Sequence, residues 1–472
     1  MFVGRARELA VLEKAYARDS FQMVVLYGRR RVGKTTLLTR FAQNKPTLFF
    51  TAQEQSDKDN LADFGRRIAE FFSLPSQLAF DGWDAAFDFL AEQARQRRFL
   101  LVFDEFPYAA QANPALPSKL QVAIDHKFAA GRLCLVLCGS NQGFMESSVL
   151  GHKSPLHGRR TLQVKLEPFG YLDARKMLGD VPYEDAFKYY CCIGGIPYYL
   201  SQVDTSAGFA ENMRDLYFSP EGYLFGEPAM LLRQELREPA VYSSVLRAVA
   251  GGANRQKEIA DRAGLQPGNL VRYLQTLRDL GILERAVPFG EDPETSRRGI
   301  YRIKDACYDY WYRFVAPTVA DVERGAGALA ARSVTDDALS DHLGHRFERV
   351  CLEWLTDRAL EGALPVAATS VGSWWGTDPQ ARAQADIDVL AADVAGRRLL
   401  VGECKYRGSF NETEEMAKLL RKGSLVKGYT AAGYVFFSKN PMSAGSREKF
   451  AAMGNVTLVT LEEMYREDAG RA

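Results

Sequence analysis

Residues 22–36 read QMVVLYGRRRVGKTT. An apolar run of strand character, MVVLY, leads into Gly28, four further residues and then Gly33-Lys34-Thr35. The spacing is G-x-x-x-x-G-K-S/T, which demands a strand, a tight loop and a helix in that order. Glycines let the loop turn its backbone N–H groups onto phosphate oxygens. TTLLTRFAQ continues as the helix, with its electropositive end facing the loop. A phosphate cradle is therefore expected from Gly28, Arg29, Arg30, Arg31, Val32, Gly33, Lys34, Thr35 and Thr36. Lys34 is expected to reach the β- and γ-phosphates, and Thr35 to ligate Mg²⁺.

Such a loop needs a second acidic partner. RRFLLVFDEFPY, residues 97–108, is an apolar strand ending in Asp104-Glu105. Asp104 at the strand's carboxyl end is expected to hold Mg²⁺ through water, with Glu105 polarising the attacking water. A further strand, RLCLVLCGSN, ends in Ser140-Asn141, which either senses the γ-phosphate or caps the next helix. PLHGRRTLQVKLEPF carries Arg159 and Arg160, one of them an arginine finger or both ordinary surface arginines. Ahead of the loop, Leu9, Leu12 and Tyr16 recur at helical spacing, and the Val3-Gly4-Arg5 lead-in is placed to touch adenine.

The 472 residues leave room for several domains. A formal net charge of +1 excludes a generally basic nucleic-acid binder, so any such contact must be a local patch. No apolar segment is long enough to span a membrane, and the first residues do not read as a signal peptide. Seven cysteines at irregular spacing suggest free thiols in a reducing cytosol, so a cytoplasmic location is expected. None has C-x-x-C spacing, and His342, His345 and Cys351 read as packing or surface residues.

Residues 171–235 read as a helical lid with a turn at GGIPYYL. Residues 236–318 read as a winged helix: RQKEIADRAGL ends at Gly264, and QPGNLVRYLQTLRDLG follows. Its expected apolar face is Leu270, Val271, Leu274, Leu277 and Leu280, with Asn269, Arg272 and Gln275 outward and Arg297 and Arg298 at the wing tip. Such a module either contacts DNA or joins domains. The small, polar stretch 319–334 reads as a linker or domain edge.

From 335 to 472 the order is α-β-β-β-α-β. Asp388 lies on one strand, and Glu403 and Lys405, one residue apart and so on one face, lie on the next. A hairpin brings them together, and Glu348 can join from the preceding helix. Asp388 and Glu403 are expected to bind Mg²⁺ with Glu348 as an outer or direct ligand, and Lys405 to activate water for phosphodiester hydrolysis. The competing reading is an exposed ribbon with salt bridges.

Through FVGRARELAVL, YGRRRVGKTTLL, LLVFDEF, LCGSN, LHGRRTLQVKLEPF and GGIPYYL, the chain resembles the archaeal-type P-loop ATPases, a branch near AAA+ and STAND NTPases. Through GHRFERV, DIDVLA and GECKYRG its last third resembles a domain of unknown function often fused to them, which is similar to the PD-(D/E)xK nuclease superfamily. Asp386 departs from that pattern, where Glu is expected. The resemblance implies an α/β multidomain protein: a P-loop NTPase core over 1–170, the helical lid, the winged helix and a restriction-endonuclease-like α/β domain over 335–472. It implies ATP and Mg²⁺ as cofactors and DNA as a partner, with no membrane, and leaves a homo-oligomer open. The expected activity is ATP hydrolysis, through Glu105, with nuclease action through Lys405 and Glu348. The alternative is a STAND-like switch whose nuclease-like domain is a binding module.

Overall fold

The computed structural model describes residues 2–75, 79–378 and 381–466. The chain forms two compact units. The first comprises Met1–Pro168 with Ile196–Tyr198. Its strands are β1 (Gln22–Tyr27), β2 (Thr47–Thr51), β3 (Phe99–Asp104), β4 (Leu133–Gly139) and β5 (Leu162–Lys165). They pair in parallel in the order β2-β3-β4-β1-β5.

β1, β3 and β4 are buried along their whole length, which explains their unbroken apolar sequences. Alternation divides them between two cores. Met23, Val25, Leu101, Phe103, Leu135 and Leu137 face one side, where Phe50, Phe64 and Trp83 pack. Val24, Leu26, Val102, Val136 and Cys138 face the other, against Leu12, Leu37, Leu38 and Phe41. Because every strand is parallel, the carboxyl ends of β1, β3 and β4 share one edge. Gly28, Asp104 and Ser140 come together there.

The second unit comprises Phe169–Gly195 and Tyr199–Ala472. It holds the helices between 171 and 235, the winged helix and the C-terminal sheet. Ile196–Tyr198, which the sequence placed in the lid, belongs to the first unit. In the winged helix, Gly264, at φ +67°, makes the turn between helices Gln256–Ala263 and Pro267–Asp279. β6 (Leu283–Ala286) and β7 (Ile300–Ile303) form the antiparallel hairpin. Val271 does not join the apolar face but is 52% exposed; Tyr273 is buried instead, at the spacing that matches Leu270, Leu274 and Leu277. The expected linker is helical, with turns at Val319–Asp321 and Gly327–Arg332 broken at Gly325 (φ +87°). Its alanines favour helix over coil.

The last sheet contains β8 (Ser370–Asp378), β9 (Ala383–Asp393), β10 (Arg398–Lys405), β11 (Thr430–Ser438) and β12 (Val456–Thr460), in the order β12-β11-β10-β9-β8. β8, β9 and β10 are antiparallel neighbours, whereas β10, β11 and β12 are parallel. Parallel β10 and β11 need a crossover, and Glu412–Lys422 supplies it. Met416 and Leu419 of that helix share a core with Leu399, Val401 and Phe436. The side chains of Glu403 and Lys405, in phase with Leu399 and Val401, therefore belong to that helix's face of the sheet. All seven cysteines are buried free thiols. Among the described residues no helix is long and apolar enough to cross a membrane.

Candidate nucleotide site and acid–lysine site

The P-loop turns where its glycines stand. A Cβ on Gly28 would lie 2.3 Å from Leu166 O, so only glycine fits between β1 and the segment after β5. Gly33, at φ +93°, starts the helix Lys34–Ala42. Lys34 is buried, and its Nζ rests 3.0 Å from Gly28 O and 2.9 Å from Arg29 O. Burial lowers its pKa. Thr35 Oγ1 donates to Asp104 Oδ2 at 3.2 Å. A hydroxyl and a carboxylate side by side are both hard oxygen donors that fit Mg²⁺, which Thr35 and Asp104 would hold.

Glu105 follows in the left-handed region, at φ +49°. Its Oε2 accepts from Ser140 Oγ at 2.8 Å and from Ser140 N at 3.2 Å. β4 thus aims the carboxylate that follows β3. Asn141 caps the next helix, its Oδ1 accepting from Phe144 N at 2.9 Å. At the end of β4, Asn141 thus takes the capping role, while Ser140 holds Glu105.

Sequence reasoning missed a wall of this site. Pro197 lies 3.9 Å from the position of a Gly33 Cβ, and the Arg31 guanidinium sits 5.5 Å from the Tyr198 ring centroid. Arg30 donates to Tyr108 OH at 3.2 Å. The signal was the Gly-Gly-Ile-Pro breaker, which reads equally as a lid turn.

One expectation is corrected. Arg159 does not contact nucleotide in its own P-loop. Thr161 N donates to Met23 O, which puts Arg159 and Arg160 at the amino end of β1, the opposite end from Gly28. Arg159 is also held by both Asp125 oxygens, at 2.7 and 2.6 Å. The Arg5 guanidinium donates to the carbonyls of Val32 and Glu167.

In the second unit, Asp388 sits where β9 carries one residue more than β8 between paired positions. Such a bulge re-aims a side chain. Asp388 Oδ2 accepts from Cys404 N at 2.8 Å. Burial, then the charges of Glu403 and Glu348, push Asp388 well above the usual carboxylate range. Glu403 is buried, with Lys405 Nζ 2.6 Å from one oxygen and Lys422 Nζ 2.5 Å from the other. Lys405 also lies 3.1 Å from Glu415 Oε2. Burial alone would lower Lys405, but Glu403, Asp388 and Glu415 together outweigh it and hold the ammonium above its ordinary value.

Asp388, Glu403 and Lys405 are thus brought together, as the spacing predicts. Lys422 and Glu415 were missed; seven residues apart, they share one face of the crossover helix. Glu348 lies near enough for its charge to raise Asp388, but it does not complete a metal-holding group. It lies 3.9 Å from His345 Nδ1, and among the described residues no group of three or more His, Cys, Asp and Glu side chains is arranged to hold a metal. The carboxylates suit Mg²⁺ chemically, but lysines occupy both oxygens of Glu403. As arranged, the site does not fit the metal.

The winged-helix arginines are partly engaged. Arg272 pairs with Glu238 at 2.8 Å and donates to Tyr273 OH at 2.6 Å. Arg298 pairs with Glu291 and donates to Trp375 O of β8 at 3.0 Å, while Phe289 N donates to Ser373 O at 2.8 Å. The wing is therefore fastened to an edge strand, which covers open backbone groups. Arg297 is exposed and makes no ion pair among the described residues.

Residues 2–203 match an ATPase domain predominantly from Archaea. Residues 243–286 match the IclR helix-turn-helix domain, and 311–417 match archaeal and bacterial proteins of unknown function. The chain is 29% identical over 407 residues to an uncharacterized protein of Methanocaldococcus jannaschii, covering 86% of this chain and 88% of the relative. A 45-residue stretch, 10% of the chain, is 49% identical to an uncharacterized ATP-binding protein of the same organism and covers 76% of it. Among solved structures, the Walker-type ATPase of Pyrococcus abyssi aligns at TM-score 0.49 and 22% identity, over 66% of this chain and 96% of that one. The Aeropyrum pernix ORC2 protein aligns at TM-score 0.41 and 14% identity, over 68% and 95%. With the parallel sheet and the complete P-loop, residues 2–203 are thus similar to an ATPase domain found predominantly in Archaea.

Proposed function

We propose that the protein hydrolyses ATP and uses the cycle to act on DNA through its helix-turn-helix. The observation that carries the reading is Glu105, which Ser140 aims beside the Thr35–Asp104 pair. Lys34 neutralises phosphate charge, the Gly33 and Lys34 amides hold phosphate oxygens, and Glu105 takes a proton from the attacking water. Bound Mg²⁺ would supply charge neutralisation at the phosphates. Arg160, exposed and at the far end of the sheet, is the finger this reading offers to a second copy of the chain. The test is phosphate release by wild type and by Glu105→Gln, with DNA binding measured in ATP and ADP. Loss of turnover with retained ATP binding supports the reading; undiminished turnover in Glu105→Gln overturns it.

For the acid–lysine site, self-pairing of Glu403 favours a phosphate-recognising or switch module. Asp388, Glu403 and Lys405 on adjacent strands favour the rival, phosphodiester cleavage. Incubating supercoiled plasmid with wild type and with Lys405→Ala in Mg²⁺ or Mn²⁺ separates the two. Nicking that disappears in the variant assigns cleavage; no nicking with retained DNA binding assigns recognition.

A further inference from the structure

Arg5 is buried at the start of the first helix and lies 27 residues from the loop carbonyl it grips. Its Nη2 is 3.1 Å from Val32 O and 2.7 Å from Glu167 O, and Nη1 is 3.3 Å from Glu8 Oε1. The Val32 carbonyl belongs to the same peptide plane as the Gly33 N–H. In a trans peptide these two groups point in opposite directions, and no cis bond occurs among the described residues. A cation holding Val32 O outside the loop therefore aims the Gly33 N–H into its concave side, where a phosphate would lie.

This peptide needs holding. It is flanked by Arg31 at φ +68° and Gly33 at φ +93°. Glycine places little steric barrier on rotation of the adjoining peptide. The same guanidinium reaches Glu167 O, next to Leu166, whose carbonyl closes on Gly28. Residues 166–167 thus brace both ends of the loop: Gly28 by close approach, Val32 through Arg5. A positive charge on a carbonyl also polarises its amide and strengthens the N–H as a donor.

We propose that Arg5 is a positioning residue for the phosphate cradle, fixing the Val32–Gly33 peptide so that the Gly33 N–H meets a nucleotide β-phosphate. The proposal rests on nucleotide occupying the P-loop. Calorimetry with ADP and Mg²⁺, on the full chain, compares wild type, Arg5→Met and Arg5→Lys. Arg5→Met should weaken ADP about tenfold, the loss of one charge-assisted bond. Arg5→Lys, which reaches one carbonyl, should recover part of that. Hydrogen exchange should quicken in peptides over 28–36 and stay unchanged over 22–27. Undiminished affinity in Arg5→Met, with wild type binding, overturns the role of Arg5 alone. An affinity loss with equal loosening of 22–27 also overturns it, since Arg5 would then only support the fold. Failure of wild type to bind ADP overturns both the proposal and the nucleotide reading.

Discussion

Lys34 and Lys405 are both lysines beside carboxylates at strand ends, yet they rest differently. Lys34 leans on two carbonyl oxygens, and burial leaves it with a lowered pKa. Lys405 leans on Glu403 and Glu415, whose charges outweigh burial and hold it high. Neutral carbonyls return little of the cost of burying an ammonium; carboxylates return much more. The first lysine is underpaired and gains from an arriving anion. The second is already neutralised, and any ligand must first displace its partners. One site is poised and the other is closed.

The largest effect should come from the poised lysine. Lys34→Ala should lower ATP turnover about a thousandfold and weaken nucleotide binding, because the buried ammonium at the base of the loop is the charge placed against the phosphates. Glu105→Gln should lose turnover on a similar scale and keep binding. Phosphate release with calorimetry measures both. If Lys34→Ala hydrolyses ATP at the wild-type rate, the contrast between the sites loses its first half.

The closed site should reveal itself in stability. Glu403→Gln leaves Lys422 partly buried without its ion pair and Lys405 with Glu415 alone. A loss of about 3 kcal/mol is expected in urea unfolding, since stripping one partner from a buried ion pair strands the other charge. Lys34→Met in the apo protein should cost under about 1 kcal/mol, for it frees only carbonyls that water or the loop can satisfy. Equal costs would mean that the two lysines rest alike.

The same contrast explains what the sequence disclosed. The P-loop is one contiguous strand–loop–helix, so spacing alone specifies Gly28, Gly33, Lys34 and Thr35. Asp104-Glu105 was legible because a parallel strand must end at the same edge. The acid–lysine site draws on two strands and a crossover helix; Asp388, Glu403 and Lys405 were read from strand periodicity, but Lys422 looked like any charged residue of an amphipathic helix. Arg159 was misplaced because sequence does not show which end of β1 the start of β5 meets. Pro197 and Tyr198 escaped because a breaker motif does not say what it packs against. Arg5 binds backbone carbonyls, and no side-chain pattern records such a contact.

Acid should sharpen the difference between the units. His342, in the second unit, is fully buried, and burial lowers its pKa to about 4 against Asp309, with Arg346 also lowering it. Its Nε2 lies 3.2 Å from Cys191 O, so the ring proton sits on that nitrogen. An unfolded chain protonates histidine near 6.5. Between about 6.5 and 4 the unfolded state therefore holds the extra proton, and stability is lost as pH falls through that window. Across it the loss should reach about 2–3 kcal/mol. Hydrogen exchange at pH 7 and pH 5 should show peptides around 191 and 342 opening, with β1 and β4 unchanged. His342→Phe should remove the effect; a wild-type pH slope in that variant assigns it to other groups.

The smallest effect concerns DNA. Of the three arginines first assigned to that surface, Arg272 is tied to Glu238 and Arg298 to Glu291 and the Trp375 carbonyl. A guanidinium already neutralised by a carboxylate releases few counterions when DNA arrives. Arg297 is exposed and unpaired among the described residues, so it should carry the electrostatic contribution of the wing. Arg297→Ala should flatten the dependence of log K on log salt by about one unit, the value for a single lost phosphate contact. Arg298→Ala should change the slope less, while loosening the wing from β8. Fluorescence anisotropy with a duplex over a salt series measures both slopes. An unchanged slope in Arg297→Ala would make the winged helix a joint within its own unit, fastened through Phe289 and Arg298, and would leave DNA contact to some other surface.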